Sequence, residues 1–303
     1  MDHGGGVDAA RARFGGERDD WIDLSTGINP QPYPLGPIDA GAWTALPNAC
    51  AQDALTDAAR AFWDLPPGAA ILAAPGASAL IAQIPALWPA GRVRIAEPTY
   101  NEHARAFRAA GWEVGDGDVQ VTVHPNNPDG RLTDAAGLAR FVVVDESFCD
   151  ASPAESLIAQ AARPGVIILK SFGKFWGLAG LRLGFAIGDP ELLDRLALRL
   201  GPWPVSGPAL AIGARALTDP DWAGRTRTRL AADAVRLDAL TGLPLVGGTD
   251  LFRLYDAGNA AGLQERLARA QIWTRTFPYS DCWIRFGLPG PQDAWDRLAR
   301  ALG

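Results

Sequence analysis

The length and composition of the chain are those of a globular protein. Of its 303 residues, 48% are hydrophobic and 20% are charged, which supplies a core and excludes a mainly disordered chain. A chain of this length predicts about two domains. The 34 acidic residues outnumber the 28 basic ones and give a net charge of −6, so we expect no nucleic-acid partner.

The distribution of apolar, cysteine and histidine residues excludes further classes. The apolar runs are shorter than the roughly 20 residues that a membrane span needs, and the first twenty residues lack a secretory signal, so we expect a cytoplasmic protein with no membrane partner. Cys50, Cys149 and Cys282 are scattered, as are the three histidines. We therefore predict neither disulfides nor a metal site.

Lysine is rare in this chain. Only two of the 28 basic residues are lysines, Lys170 and Lys174, and they lie in one short glycine-containing segment. A lysine can condense with an aldehyde, whereas the guanidinium of arginine stays protonated and cannot. The segment holds either a nucleophilic lysine or two solvated surface lysines, and the neighbouring residues must decide.

Short apolar runs alternate with longer helical stretches from about residue 68 onwards. The runs occupy residues 69–74, 92–97, 119–124, 141–146, 165–170 and 183–188. Such alternation predicts an α/β fold, with a mostly parallel central sheet covered by helices on both faces.

The two ends of the chain have a different pattern. Residues 207–237 predict long helices, followed by short strands within 249–257, 272–277 and 282–288 and helices at about 260–270 and 291–301. The first 40 residues are rich in proline and glycine and predict an extended arm. We therefore divide the chain into an N-terminal arm (1–40), a large α/β domain (41–210) and a small C-terminal α+β domain (211–303).

Polar or small residues follow successive predicted strands, where parallel sheets bind ligands. Gly76, Ala77 and Ser78 form a small-residue turn that opens a helix, and its N–H groups could bind an anion. Ser171 and Arg182 could add a hydroxyl and a guanidinium to the same anion. Taken singly, these residues are equally consistent with a helix cap and a surface ion pair.

Three more residues at the strand ends are candidates. Asp145 ends an apolar strand, where a carboxylate needs a partner such as a protonated ring nitrogen. Asn127 could donate to a phenolate oxygen, or simply form a turn, and Tyr100 could lie over a planar ring, or simply be a core residue. Together with a lysine for an aldehyde, these groups are what a protein provides to bind pyridoxal 5'-phosphate (PLP).

Four segments resemble one known family. Residues 171–185 read SFGKFWGLAGLRLGF, residues 125–130 read PNNPDG, residues 142–146 read VVVDE and residues 98–103 read PTYNEH. They resemble the fold-type I, class I/II aminotransferases. The resemblance implies PLP as cofactor, Lys174 as the lysine that binds its aldehyde, and His103 behind Asp145. It also implies a homodimer.

The ends of the chain resemble one branch of that family. HGGG at residues 3–6 and IDLSTGINP at residues 22–30 look like the start of the threonine-phosphate decarboxylases of cobalamin biosynthesis. That resemblance implies that His3, Gly4 and Asn29 line the pocket for the substrate's phosphate. It also assigns Arg275 to the phosphate and Arg285 to the α-carboxylate, since two separate anions need two cationic groups.

The implied reaction is decarboxylation of L-threonine O-3-phosphate, a small phosphorylated amino acid, to (R)-1-amino-2-propanol phosphate. Two alternatives stay open: an aminotransferase of the histidinol-phosphate type that acts on another phosphorylated amine, and a catalytically silent dimer. The sequence departs from the family at Phe148 and Leu46, where relatives have tyrosines, and at Gly173, where Ser or Thr is usual.

Overall fold

A computed structural model describes residues 4–303 of the chain. Within them the α-helices are α1 Val7–Phe14, α2 Gly41–Thr44, α3 Ala49–Phe62, α4 Ala77–Gln83, α5 Asn101–Ala109, α6 Pro190–Leu200, α7 Gly207–Leu217, α8 Pro220–Thr241, α9 Ala260–Arg269 and α10 Gln292–Leu302. The strands are β1 Ile22–Asp23, β2 Ala70–Ala74, β3 Arg92–Ile95, β4 Glu113–Val114, β5 Val119–Val123, β6 Phe141–Asp145, β7 Val166–Ser171, β8 Gly184–Gly188, β9 Leu245–Thr249, β10 Phe252–Asp256, β11 Ile272–Trp273, β12 Arg275–Phe277 and β13 Ser280–Gly287.

The chain folds into two units. The larger unit contains Tyr33–Asn127 and Arg131–Arg225, and the smaller contains residues 4–32, Pro128–Gly130 and Thr226–Gly303. The division into an arm, a large domain and a small domain stays a prediction.

The larger unit is built on a seven-stranded sheet of order β2-β8-β7-β6-β5-β3-β4. Strands β7, β6, β5, β3 and β4 pair in parallel, and β8 runs antiparallel to both β2 and β7. The central strands are buried along nearly their whole length, which explains their continuous apolar runs. The mostly parallel α/β sheet predicted from the sequence is confirmed.

Amphipathic helices cover this sheet. Helix α5 buries His103, Ala104 and Phe107, which lie on one face because an α-helix has 3.6 residues per turn. Apolar residues of this helix pack into the same core as Val93, Val121 and neighbouring strand residues. The helices thereby fix the strand ends, where the predicted cofactor residues lie.

The smaller unit combines an antiparallel sheet of order β12-β13-β10-β9 with the parallel pair β1-β11. Helices α9 and α10 match the predicted C-terminal helices, whereas β9 was not predicted. The N-terminal segment is not extended throughout, because residues 7–14 form α1. This helix buries Val7 and Ala10 against Trp21 and Ala268.

No helix in the described part of the chain has both the length and the apolar character needed to cross a bilayer.

Candidate active site

The predicted cofactor residues lie at one edge of the seven-stranded sheet. Ala74 and Ser171, the last residues of β2 and β7, both pair with Gly184 at the start of β8. Asp145, the last residue of β6, pairs with Val123 at the end of β5. The carboxyl ends of these strands thus meet at one edge, which is where open α/β sheets bind ligands.

Asp145 is buried, and both of its carboxylate oxygens accept hydrogen bonds. It is 2% exposed, and Oδ2 lies 2.9 Å from Nε2 of His103, which is itself buried. The backbone N–H and the hydroxyl of Ser147 donate to Oδ1 at 3.0 and 2.5 Å. A carboxylate only accepts, so the Nε2 atom of His103 must carry the hydrogen.

These contacts keep Asp145 charged. Burial alone would raise its pKa, but the hydrogen bonds and charge of His103 and the two hydrogen bonds from Ser147 together lower it below its usual range. The site therefore favours the charged form of a buried carboxylate. That charge suits a cationic partner such as a protonated pyridine nitrogen.

The loops after β3 and β5 are tied together by a residue that the sequence reasoning missed. The side-chain amide of Asn126 donates to the carbonyl of Pro98 at 3.0 Å, and its Oδ1 accepts from the hydroxyl of Thr99 at 2.6 Å. These bonds join the segments that carry Tyr100 and Asn127. Asn127 is 8% exposed, and the ring of Tyr100 meets that of His103 edge-on, with centroids 6.0 Å apart.

Lys174 follows the end of β7 closely. Its Nζ lies 5.5 Å from the ring centroid of Phe148, one of the positions where the sequence departs from the family. Phe148 is buried, so the ammonium meets an aromatic face there rather than a phenol oxygen. The hydroxyl of Ser171, closer to the strand end, accepts the N–H of Gly173 at 3.2 Å.

Lys170 is a buried structural lysine, not a surface one. It is 2% exposed, and Nζ lies 2.7 Å from Glu146 and 3.4 Å from Asp150. Burial alone would lower its pKa, but the two carboxylates raise it. Asp150 also accepts from the indoles of Trp63 and Trp176 at 2.9 and 3.0 Å. Lys170 is therefore fully engaged inside the fold.

The turn between β2 and α4 is shaped for an anion. Gly76 has φ +86°, and a Cβ added there would lie 2.6 Å from Nη2 of Arg182. Arg182 is held in a left-handed conformation (φ 53°), and its Nη1 donates to the carbonyl of Ala179 at 3.0 Å. The guanidinium is thus fixed beside the backbone that precedes the N–H groups of Ala77 and Ser78.

In the smaller unit, Arg275 and Arg285 are direct cross-strand partners on β12 and β13. Arg285 is buried, and its Nη2 donates to the carbonyl of Ser25 at 2.6 Å. Burial, and after it the like charge of Arg275, lower the pKa of Arg285 to about 9. Two adjacent guanidiniums, one of them buried, favour an anionic ligand.

Ser25 also holds the start of the described chain. Its hydroxyl accepts the N–H of Gly5 at 2.7 Å and donates to Asp23 at 2.5 Å. A Cβ on Gly4 would lie 2.5 Å from the Ser25 carbonyl oxygen, so this approach requires glycine. Gly4 and Arg285 therefore both adjoin Ser25, whereas His3 lies outside the described residues.

Asn29 is 1% exposed, and a residue that the sequence reasoning did not find holds it. Its Oδ1 accepts from Nη2 of Arg229 at 2.7 Å and from the N–H of Gln31 at 3.0 Å. Nη1 of Arg229 lies 3.2 Å from Asp233. Arg229 stands 200 residues away on a helix that shows no motif, so only the fold brings the pair together.

One group of potential metal ligands occurs among the described residues. Ligand atoms of His124, Glu146 and Cys149 lie within 4.8 Å of one another. However, Nδ1 of His124 accepts the N–H of Thr133 at 2.9 Å, and its Nε2 lies 2.5 Å from the carbonyl of Glu155. Both ring nitrogens are used within the protein, so this cluster does not offer a metal site.

The donor set in the larger unit fits PLP. A buried carboxylate with a lowered pKa suits the pyridine nitrogen, and a lysine against an aromatic face suits the aldehyde. The Gly76 turn, whose positive φ favours glycine and which lies beside the guanidinium of Arg182, suits the phosphate. These residues lie at or beyond the ends of strands of one sheet.

Comparisons with known proteins identify the family of the chain. Residues 117–302 match the family described as aminotransferase class I and II. The chain is 40% identical to a threonine-phosphate decarboxylase from Pseudomonas aeruginosa, over 100% of this chain and 97% of the relative. It is 43% identical to one from Sinorhizobium sp., over 99% of this chain and 97% of the relative.

A solved structure has the same fold. The histidinol-phosphate aminotransferase from Sinorhizobium meliloti in complex with pyridoxal-5'-phosphate superposes with a TM-score of 0.81 at 20% identity, covering 98% of this chain and 93% of that one. The match in sequence and the match in fold lead to one conclusion: the chain belongs to the aminotransferase class I and II family.

Proposed function

We propose that the chain is a PLP-dependent lyase that decarboxylates L-threonine O-3-phosphate to (R)-1-amino-2-propanol phosphate, in cobalamin biosynthesis. The observation that carries the proposal is the identity of 40% and 43%, over essentially full length, with two threonine-phosphate decarboxylases. The likeness to a histidinol-phosphate aminotransferase, at 20% identity, is one of fold.

The larger unit supplies the cofactor residues in this proposal. Lys174 binds the aldehyde, and Asp145 keeps a proton on the pyridine nitrogen with the support of His103. Asn127 donates to the ring oxygen, and it does so without the help of a tyrosine at the position of Phe148. Tyr100 packs against the ring, and the phosphate is bound by Ser171, Arg182 and the turn Gly76, Ala77 and Ser78.

The smaller unit supplies the substrate residues. Arg285 binds the α-carboxylate, and Arg275, Asn29, Gly4 and His3 bind the phosphate. The cross-strand pairing of the two arginines supports this role, because a substrate with a carboxylate and a phosphate would neutralise both guanidiniums.

PLP, when bound, would supply a protonated ring that withdraws electrons from a bond at Cα of the substrate. The protein must therefore choose between the bond to the carboxylate and the bond to hydrogen. Arg285 and Arg275 make that choice by holding the two anionic ends of the substrate. Lys174 would be the residue that supplies a proton to Cα in place of the carboxylate that is lost as CO₂.

Trp43 and Leu46 are 68% and 67% exposed in and beside α2, and we propose that they lie in a homodimer interface. The three cysteines are free thiols, which supports a cytoplasmic location with its reducing conditions.

One assay tests the reaction. The purified holoenzyme is incubated with L-threonine O-3-phosphate, and the release of CO₂ and of keto acid is measured. We expect CO₂ in proportion to the substrate consumed. Keto acid that depends on an acceptor would instead establish an aminotransferase, and no product of either kind would indicate a silent protein.

A further inference from the structure

Asn29 has a fixed orientation in this structure. Two donors, Nη2 of Arg229 and the N–H of Gln31, both reach its Oδ1, at 2.7 and 3.0 Å. This assigns the oxygen and the nitrogen of the amide, because the opposite orientation would place N–H groups against N–H groups. An anion can therefore meet Asn29 only through its amide hydrogens.

Arg229 is itself fixed. Its guanidinium joins Asn29 through Nη2 and Asp233, one turn further along α8, through Nη1 at 3.2 Å. The side chains of Arg229 and Asp233 are 24% and 17% exposed, so water screens this pair only in part. The planar fork contacts the two partners through two separate nitrogens, whereas a lysine would offer a single nitrogen.

We infer that Arg229 is a positioning residue for the substrate's phosphate: it occupies the oxygen of Asn29 and so turns the amide hydrogens of Asn29 towards the anion. This inference rests on the proposed function, in which Asn29 binds that phosphate. Without Arg229 only the N–H of Gln31 holds the amide oxygen, so the amide is less firmly oriented and can more often present that oxygen, which repels an anion.

Binding of a simple phosphate ester tests this role without catalysis. Isopropyl phosphate has no amine and no carboxylate, and its Kd for the holoenzyme can be measured by titration calorimetry. We expect Arg229→Gln to raise that Kd roughly tenfold, as for the loss of one charge-assisted contact. Arg229→Lys, with one donor group in place of a fork, should raise it by only about threefold.

The matched control lies on the same helix. Arg236 also belongs to α8, and it contacts Gln292 at 3.1 Å and the ring of Trp295 at 4.2 Å. Arg236→Gln removes the same charge and should leave the Kd of isopropyl phosphate unchanged. Circular dichroism of each variant shows whether it is folded, and Arg229→Lys keeps the test decisive if Arg229→Gln does not fold.

A double-variant cycle separates positioning from direct attraction. If Arg229 acts through Asn29, adding Arg229→Gln to Asn29→Ala should change the Kd by less than about twofold. Independent losses that add in the double variant would overturn the inference, as would an Arg229→Gln variant that binds like Arg236→Gln. A wild-type enzyme that does not bind isopropyl phosphate would overturn it too.

Kinetics distinguish this inference from the proposed function. With L-threonine O-3-phosphate, Arg229→Gln should raise KM and leave kcat nearly unchanged, whereas KM for unphosphorylated threonine should not change. If the wild type releases no CO₂ from threonine phosphate, the proposed function fails, and the titrations with isopropyl phosphate still decide the role of Arg229.

Discussion

Two lysines, four residues apart, have unlike surroundings. Lys170 lies in a buried network with Glu146 and Asp150, whereas Lys174 lies beyond the strand end against the ring of Phe148. A buried cation between two carboxylates is held by charge and cannot leave without exposing them to an apolar interior. The two positions should therefore respond differently to substitution.

We predict that Lys174→Ala removes the visible absorption band of lysine-bound PLP while the fold keeps its stability. Lys170→Met should instead lower the free energy of unfolding by about 3–5 kcal/mol, because it leaves two buried carboxylates without a cation. Absorption spectra and urea unfolding of both variants check this. A lysine-bound band that persists in Lys174→Ala would contradict the role of Lys174.

Asp145 should make the free energy of unfolding depend on pH in the acidic range. The pKa of Asp145 is lowered in the folded protein. The stability that its carboxylate contributes is therefore complete above the ordinary pKa of about 3.9 and is lost as the pH falls through the lower pKa of the folded state. The hydroxyl of Ser147 is one cause of that lowering.

We predict that Ser147→Ala raises the pKa of Asp145 and moves the acid-unfolding midpoint to higher pH. The backbone N–H of residue 147 still donates in the variant, so the shift should be partial. Circular dichroism below about pH 5 measures the midpoint. Ser152→Ala, in which a nearby serine without this contact is changed, is the control. Equal midpoints in the wild type and Ser147→Ala would rule out this contribution.

The residues that could be predicted from the sequence are those that belong to a local motif or follow an apolar run. Asp145 and Lys174 follow apolar runs and belong to motifs. Asn126, Arg229 and the buried place of Lys170 could not be found, because each depends on a partner that is distant in the chain. A single sequence does not show which distant residues contact each other in the fold.

At the scale of elements, the turn that joins β2 to α4 depends on one glycine. Gly76 combines a left-handed φ of +86° with the close approach of Arg182, so a side chain meets both a backbone penalty and a steric one. Gly68, just before β2, has a similar φ of +88°, but a Cβ there would meet nothing within 4 Å.

We predict that Gly76→Ala weakens PLP binding roughly tenfold, because the new methyl group displaces one charge-assisted donor to the phosphate. Gly68→Ala has the same backbone strain without the clash and should bind PLP as the wild type does. Titration of each cofactor-free variant with PLP, followed by absorbance, measures the difference. Similar losses in both variants would show that backbone strain alone is responsible.

The elements themselves were largely predictable. All six apolar runs became strands of one sheet. Of these strands, β6, β7 and β8 are buried on both faces and therefore consist largely of continuous apolar residues. Helix α1 was missed because the surrounding glycines and prolines suggested an extended segment, although Val7 and Ala10 pack on a distant helix. Strand β9 was missed because its pairing with β10 is not marked by any local motif.

At the scale of the whole molecule, large apolar side chains are exposed near α2. Trp43 and Leu46 are 68% and 67% exposed, and Leu35 and Trp203 in the same unit are also exposed. Large apolar side chains that are exposed to this extent favour a protein partner. A second copy of the chain is the partner that we propose.

We predict that Trp43→Glu combined with Leu46→Glu converts the homodimer to a monomer, since burying two carboxylates in an interface is unfavourable. Light scattering coupled to size exclusion measures the mass. Leu198 on α6 is 85% exposed, and Leu198→Glu is the control that should stay dimeric. A wild-type mass of one chain would contradict the proposed dimer.

The different surroundings of the two lysines also determine how each would react with amine-labelling reagents. Because Lys170 is 2% exposed and bound to two carboxylates, an amine-reactive dye should not reach it in the folded protein. Lys174 and the chain's terminal amine are then the remaining primary amines. A fluorophore or a surface coupling directed at amines would thus report on whether the cofactor is in place, since PLP bound to Lys174 would protect that amine from the reagent.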